Sequence, residues 1–185
     1  MAWKNDQVSK KETTQILGLA RKSLVVAGDF VEMGCYKGDT SLLLAEIVKN
    51  SGKKLWIYDS FEGLPEKQDF DNSVLGENFK KGELFVTKRE VKQRFLKAGL
   101  PVPIIKKGWF GDLTDDDLPS EIAFAFLDGD FYESIRDSLE LVVPKMSSGG
   151  VLIVHDYTNP ALPGVKKAVD EWQKLSFKGF EVILL

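Results

Sequence analysis

The chain has 185 residues, of which 43% are hydrophobic and 29% are charged, and its formal net charge is −3. These values predict one globular domain over residues 1–185, and they give no electrostatic basis for binding nucleic acid or an anionic membrane. One cysteine excludes an internal disulfide, one histidine excludes a multi-histidine metal site within one chain, and the N-terminus lacks an apolar signal core, so we expect a cytoplasmic protein.

Predicted helices and strands alternate along most of the chain. Helical spacing of apolar side chains predicts helices over 11–27, 39–50, 88–98, 132–146 and 164–175. Short apolar runs bounded by turn residues predict strands over 29–34, 54–59, 102–107, 122–128, 151–156 and 180–185. This order predicts an α/β fold with a parallel sheet, helices on both faces, and ligands at the carboxyl ends of the strands.

Residues 61–100 form the least regular segment, and its first part is too long for a simple connection between two elements. Irregular connections of this length are usually functional, so we predict a lid-like insertion over a bound molecule. Four phenylalanines lie in the irregular part. They either cover the bound molecule or form a small separate core, and they are Phe61, Phe70, Phe79 and Phe85.

The stretch DFVEMGCYKGDTS combines a buried strand, two glycines and a helix start. A strand, a glycine turn and a helix N-terminus together form a common nucleotide site in α/β proteins. Asp59 ends the second predicted strand, about twenty residues further on, and that spacing suits a carboxylate that binds ribose hydroxyls. The alternative interpretation is that the glycines only permit a tight turn between strand and helix.

The turn lacks the G-x-G-x-x-G pattern of dinucleotide sites and the G-x-x-x-x-G-K-[ST] pattern of phosphate loops. It has instead an E-x-G-x-x-x-G pattern, made by Glu32, Gly34 and Gly38. The Glu32 carboxylate would repel phosphate and attract a ligand that carries an ammonium or sulfonium group. This pattern therefore favours S-adenosylmethionine as the cofactor.

Five further contacts are expected around this cofactor. The two glycines allow the backbone to approach its methionine portion, and Ser41 or Thr40 binds its carboxylate at the helix N-terminus. Asp59 binds the ribose, and Trp109 covers the adenine edge. A nicotinamide-dependent oxidoreductase with the same sheet and a non-catalytic cofactor-binding module are the alternatives.

Six motifs of this chain occur in a familiar order: GDFVEMGCYKGDTS, YDSFEGLP, KGWFGD, FLDGDFYES, PKMSSGGVLIVHDY and PGVKKAVDEW. In them the chain resembles the macrocin O-methyltransferase (TylF/MycF-like) family over about residues 28–175. The resemblance implies a Rossmann-like class I methyltransferase sheet and methyl transfer from S-adenosylmethionine to a hydroxyl, typically on a sugar of a glycosylated natural product. It also implies a divalent metal, usually Mg²⁺. The seventh, antiparallel strand that such sheets normally have is missing after 180–185.

Acidic residues lie at the ends of the fourth and fifth predicted strands, which we expect to be neighbours about 4.8 Å apart. Asp128 and Asp156 could therefore share one cation through oxygen ligands. A metal can lower the pKa of a sugar hydroxyl, and a carboxylate can take its proton. By resemblance, Asp128 is the candidate for both metal ligand and catalytic base. Asp130 is expected to cap the helix that begins near Tyr132.

His155 departs from the family, which usually has two adjacent acids where this chain has His155-Asp156. As a metal ligand beside Asp128 and Asp156, it would shift the preference from Mg²⁺ towards manganese, iron or zinc. Alternatively, His155 acts as the base, or it faces the core, because adjacent strand residues point to opposite faces. The apolar last strand at the sheet edge would favour association, so a homodimer is also considered.

Overall fold

The computed structural model describes residues 7–173 and 179–185. These residues form six strands: β1 (Asp29–Met33), β2 (Leu55–Asp59), β3 (Ile104–Lys107), β4 (Ile122–Leu127), β5 (Met146–Val154) and β6 (Glu181–Leu184). They also form five α-helices: α1 (Lys10–Lys22), α2 (Asp39–Val48), α3 (Lys88–Ala98), α4 (Tyr132–Val142) and α5 (Pro163–Gln173). The strands pair in parallel in the order β3-β2-β1-β4-β5-β6, so the predicted α/β fold is confirmed.

Helices cover both faces of the sheet, and the side chains of β4 show the division between the two. Phe124 and Phe126 belong to the core formed with α1, α2 and α3. Ala125 and Leu127 belong to the core formed with α4 and α5. All six residues of β4 are buried, as the continuous apolar run predicts for a central parallel strand. Each buried leucine or phenylalanine contributes about 1.5–3 kcal/mol to this packing.

The boundaries of β5 and α4 differ from those predicted. α4 ends at Val142 and not at 146, because Pro144 lies in the following turn and cannot continue a helix. β5 begins at Met146 rather than 151 and ends at Val154, so the two polar residues after it lie beyond the strand. The end of the helix predicted to reach 175 lies outside the described residues.

The insertion over 61–100 contains two short 3₁₀ turns and α3. Its four phenylalanines do not share one role. Phe61 is buried in the core with α2 and α3, whereas Phe79 lines a cleft at the strand ends. Phe70 packs against the ring of Tyr132 with 4.9 Å between ring centroids, and Phe85 is 58% exposed. The four rings therefore differ in their surroundings, and the lid-like insertion stays a prediction from the sequence.

A buried carboxylate joins the insertion to the start of α4. Asp71 is 1% exposed, and its Oδ1 accepts a hydrogen bond of 2.8 Å from the backbone N–H of Tyr132. Its Oδ2 accepts from the N–H of Gln68 at 3.0 Å. The prediction that Asp130 caps α4 is wrong, because Phe131 is the N-cap residue, without a side-chain bond, and Asp71 takes up the free amide.

β6 pairs with β5 and forms one edge of the sheet, and the described ranges 7–173 and 179–185 contain no strand beyond it. None of the helices in these ranges has the length and apolar character needed to cross a bilayer.

Candidate active site

A cleft opens at the carboxyl ends of the strands, where the strand order reverses between β1 and β4. It holds about 1060 Å³ of space, including the part open to solvent. Most of the predicted site residues line it, namely Glu32, Gly34, Asp59, Trp109, Asp128, His155 and Asp156. The N-terminal residues Gln7 and Val8 also line it, and no sequence motif indicated them.

Glu32 lies at the base of the cleft and is 1% exposed. Burial raises the pKa of its carboxyl to about 8, against the lowering effect of a hydrogen bond from the Ser41 hydroxyl. The negative charges of Asp128 and Asp59 raise this pKa further. No ion pair to Glu32 occurs within the part of the chain that the structure describes. A ligand with a positively charged group would pair with this carboxylate and favour its ionised form.

Ser41 and Gly38 lie behind the cleft and are not among the residues that line it. Ser41 is completely buried, and its hydroxyl donates to Glu32. This corrects its expected position beside a ligand carboxylate, since Thr40 lines the cleft in its place. Gly38 begins α2 with a φ of 79°, and its N–H donates to the Cys35 carbonyl at 2.7 Å. Gly38 therefore ends the turn before α2, and Ser41, within α2, contacts Glu32 directly.

Gly34 brings the ends of β1 and β4 together. Its φ is 88°, and a Cβ at this position would lie 2.1 Å from the backbone oxygen of Asp128. The N–H of Asp128 donates to the Met33 carbonyl at 2.8 Å, which continues the pairing of the two strands. A residue without a Cβ is required here because the backbone of the next strand end occupies that space.

Asp59 braces the glycine turn from the end of β2. Its Oδ2 accepts from the N–H groups of Cys35 and Tyr36 at 3.0 and 3.1 Å, and its Oδ1 accepts from Phe61 at 2.8 Å. Tyr36 has a φ of 44°, so this turn holds a non-glycine residue in the left-handed region. A carboxylate accepts about four hydrogen bonds, which leaves Asp59 capacity for one ligand hydroxyl.

Three side chains meet where β4 and β5 end. His155 Nδ1 lies 2.9 Å from Asp128 Oδ1 and 3.0 Å from Asp156 Oδ2. One potential ligand atom from each residue lies within 4.8 Å of the others. The alternative in which His155 and Asp156 face opposite sides is not observed. β5 has already ended at Val154, and Asp156, with a φ of 61°, turns the chain back.

The charge of His155 is expected to persist over most of the accessible pH range. Burial alone lowers the pKa of the imidazole, but the Asp128 charge and hydrogen bonds to Asp128 and Asp156 outweigh it and raise the pKa to about 11. Because this value lies above the unfolded value of about 6.5, the stabilisation is complete below that pH and is lost as the pH rises towards 11.

Nitrogen-15 NMR can test this directly, because the chain has one histidine. In metal-free folded protein we expect no titration of the ring nitrogens between about pH 5 and 9. The same protein in concentrated urea serves as the control and is expected to titrate near about 6.5. A folded-state midpoint close to the unfolded value would contradict the ion pairs described above.

Asp130 is a site residue that the sequence analysis assigned to a helix cap. It lines the cleft with a φ of 62°, and no hydrogen bond to its carboxylate is found among residues 7–173 and 179–185. Burial raises its pKa well above the ordinary value, and the charges of Asp128 and Asp156 act in the same direction. No local signal could show this, because the residue that replaces it as a cap is Asp71 in the insertion.

Known proteins are similar to this chain in both sequence and fold. The family model described as Macrocin-O-methyltransferase (TylF) matches residues 19–177. The 8-demethyl-8-(2,3-dimethoxy-alpha-L-rhamnosyl)-tetracenomycin-C 4'-O-methyltransferase of Streptomyces olivaceus is 33% identical over 156 residues, which are 80% of this chain and 59% of that protein. The demethyldecarbamoylnovobiocin O-methyltransferase of Streptomyces niveus is 31% identical over 156 residues, with the same coverage of both chains.

The structure of the O-methyltransferase NovP superposes with a TM-score of 0.80 and 29% sequence identity, covering 92% of this chain and 75% of that one. This similarity confirms the Rossmann-like methyltransferase sheet. The chain spans 59% of the length of the two Streptomyces relatives. Since the family model extends over most of the sequence, the chain belongs to the macrocin O-methyltransferase family.

Proposed function

We propose that the chain acts as an S-adenosylmethionine-dependent O-methyltransferase on a hydroxyl of a sugar or a glycosylated small molecule. The observation that carries the proposal is the buried Glu32 carboxylate, which lies at the base of the cleft without a basic partner among the described residues. A cationic cofactor without phosphates would neutralise it. The name of the Streptomyces olivaceus relative specifies a rhamnosyl group on its substrate, which supports a sugar-bearing acceptor.

The cofactor contacts follow from the side chains that line the cleft. With S-adenosylmethionine bound, Gly34 would lie beside its methionine portion, Glu32 would face its ammonium group and Thr40 its carboxylate. Asp59 would accept from a ribose hydroxyl, and Trp109, which is 36% exposed, would cover the adenine. Family membership sets aside the nicotinamide-dependent oxidoreductase.

Asp128, His155 and Asp156 fit a divalent metal. One potential ligand atom from each residue lies within 4.8 Å of the others, so small side-chain movements would let all three hold one cation. One imidazole and two carboxylates favour Mn²⁺, Fe²⁺ or Zn²⁺ over Mg²⁺. Such a cation would lower the pKa of the acceptor hydroxyl. Its affinity should rise with pH, because His155 must first lose a proton.

Carboxylates at the end of β4 take the proton of the acceptor. With S-adenosylmethionine bound, the acceptor oxygen would receive its methyl group, S-adenosylhomocysteine would be the leaving group, and the hydroxyl proton would pass to one of these carboxylates. Asp128 is the proposed proton acceptor. Asp130 is the second candidate, since its carboxylate faces the cleft and has no hydrogen bond to another described residue.

Calorimetric titration with S-adenosylmethionine tests the proposal. We expect one site whose affinity increases between about pH 6.5 and 8.5, because Glu32, with a pKa of about 8, must lose its proton to bind a cation. Glu32→Gln is expected to weaken binding and to remove this pH dependence. Binding of NAD in place of S-adenosylmethionine would contradict the proposal.

The same titration with and without Mn²⁺ or Mg²⁺ tests the metal site. Cofactor binding without methyl transfer to any sugar acceptor would favour the non-catalytic module over the enzyme. The homodimer and the cytoplasmic location stay predictions from the sequence.

A further inference from the structure

We propose that Glu12, in α1, is a positioning residue for this site, and that it orients the imidazole of His155 from the side opposite Asp128. The proposal rests on the proposed function, since it concerns the same site. It assigns a role to the N-terminal helix that neither the motifs nor the strand ends indicate.

Both ring nitrogens of His155 have acidic neighbours. Nδ1 faces Asp128 and Asp156, at 2.9 and 3.0 Å, whereas Nε2 lies 3.9 Å from Glu12 Oε2. The ring also packs near Phe126, with 5.8 Å between ring centroids, and His155 is 5% exposed. A separation of 3.9 Å is longer than a direct hydrogen bond and suits an ion pair or one bridging water.

Helix α1 holds the Glu12 carboxylate in place independently of the site. Ser9 and Glu12 form a capping box, in which the Ser9 N–H donates to Glu12 Oε2 at 2.9 Å and the Glu12 N–H donates to Ser9 Oγ at 3.3 Å. The helix is anchored in the core by Ile16, Leu19 and Ala20, which are buried. The capping box therefore holds Glu12 Oε2 at 3.9 Å from His155 Nε2.

A preorganised carboxylate on the Nε2 side has a chemical consequence. The hydrogen bond made by one ring nitrogen decides which nitrogen remains available at the other side. An Nε2–H group that is directed at Glu12 leaves Nδ1 towards Asp128 and Asp156, where a cation would be bound. Partners of this kind typically change metal affinity by about 10- to 100-fold.

Two matched variants separate the charge of Glu12 from its role in the helix. Glu12→Gln removes the charge and keeps a residue that closes a capping box. Ser9→Ala weakens the box but leaves the carboxylate and the Ser9 N–H that it accepts from. The readouts are the two ring-nitrogen shifts of the only histidine in metal-free protein, and the Kd for Zn²⁺ and Mn²⁺ measured by calorimetry.

We expect Glu12→Gln to change the Nε2 shift and to weaken Zn²⁺ binding by about tenfold or more, with S-adenosylmethionine affinity unchanged. Ser9→Ala should leave the Kd for Zn²⁺ within about twofold of the wild-type value. The proposal is overturned if Glu12→Gln alters neither the ring-nitrogen shifts nor the Kd. It is also overturned if Ser9→Ala weakens binding as much as Glu12→Gln, because the effect then belongs to the helix.

The two proposals can fail separately. Wild-type protein that binds neither cation would contradict the metal site, and the ring-nitrogen shifts of the metal-free variants would then decide the role of Glu12 by themselves.

Discussion

Asp128→Asn is expected to lower the rate of methyl transfer by about 10³-fold, within the range of about 10²–10⁴ that general acid–base catalysis contributes. The amide cannot take the acceptor proton and is a poorer cation ligand. It has nearly the shape of the carboxylate, and the backbone bond from Asp128 to Met33 is retained. Affinity for S-adenosylmethionine should therefore remain within a few-fold of the wild-type value. Single-turnover transfer of a labelled methyl group and calorimetry measure the two quantities.

Asp116→Asn is the control for this experiment, because Asp116 is an exposed acid in the Asp115–Asp117 turn and does not line the cleft. It should leave both quantities unchanged. Turnover by Asp128→Asn at close to the wild-type rate would contradict the role of Asp128. If Asp130→Asn then showed the larger loss, the proton acceptor would be Asp130.

Gly34→Ala is expected to destabilise the fold by about 3 kcal/mol or more and to abolish cofactor binding. A left-handed backbone costs a non-glycine residue about 1–2 kcal/mol. At Gly34 the added Cβ would also lie 2.1 Å from a backbone oxygen of Asp128, which no side-chain rotation can relieve. Relief requires β1 and β4 to separate at the ends that place Glu32 and Asp128. Urea denaturation gives the free energy of unfolding.

Gly52→Ala separates the two costs. Gly52 has a φ of 79°, and a Cβ there would meet no atom within 4 Å. This variant should lose only the conformational cost of about 1–2 kcal/mol. Equal losses of unfolding free energy in the two variants would show that the close contact between the ends of β1 and β4 does not contribute to stability.

Most of the fold could be predicted from local patterns in the sequence. The unbroken apolar run of β4, the glycine turn after β1 and the amphipathic helices each depend on neighbours in the sequence, so they can be read without a structure. The meeting of Glu32, Asp59 and Asp128 could also be predicted. Parallel strands with right-handed crossovers bring their carboxyl ends to one edge of the sheet, whatever the loops do.

The partners of individual polar groups were decided by the tertiary structure. Asp71, in the insertion, accepts a hydrogen bond from the N-terminus of α4. Asp130 does not cap this helix and lines the cleft. The Ser41 hydroxyl donates a hydrogen bond to Glu32, where the sequence predicted a contact with a ligand carboxylate. Hydrogen bonds of this kind depend on distances of a few tenths of an ångström between segments far apart in the chain, and no spacing in the sequence encodes them.

The position of His155 was predicted from the sequence, whereas its contacts were decided by the tertiary structure. The sequence by itself predicted a lone histidine beside an acid at the end of the fifth strand, at the edge of the sheet where ligands bind. It left open a metal ligand, a base or a core residue, because the side-chain direction after a strand depends on where the strand ends. The tertiary structure ended β5 at Val154 and placed the imidazole between Asp128, Asp156 and Glu12. β5 is paired with β4 and β6 up to Val154, and this pairing sets the end point after which the His155 side chain lines the cleft.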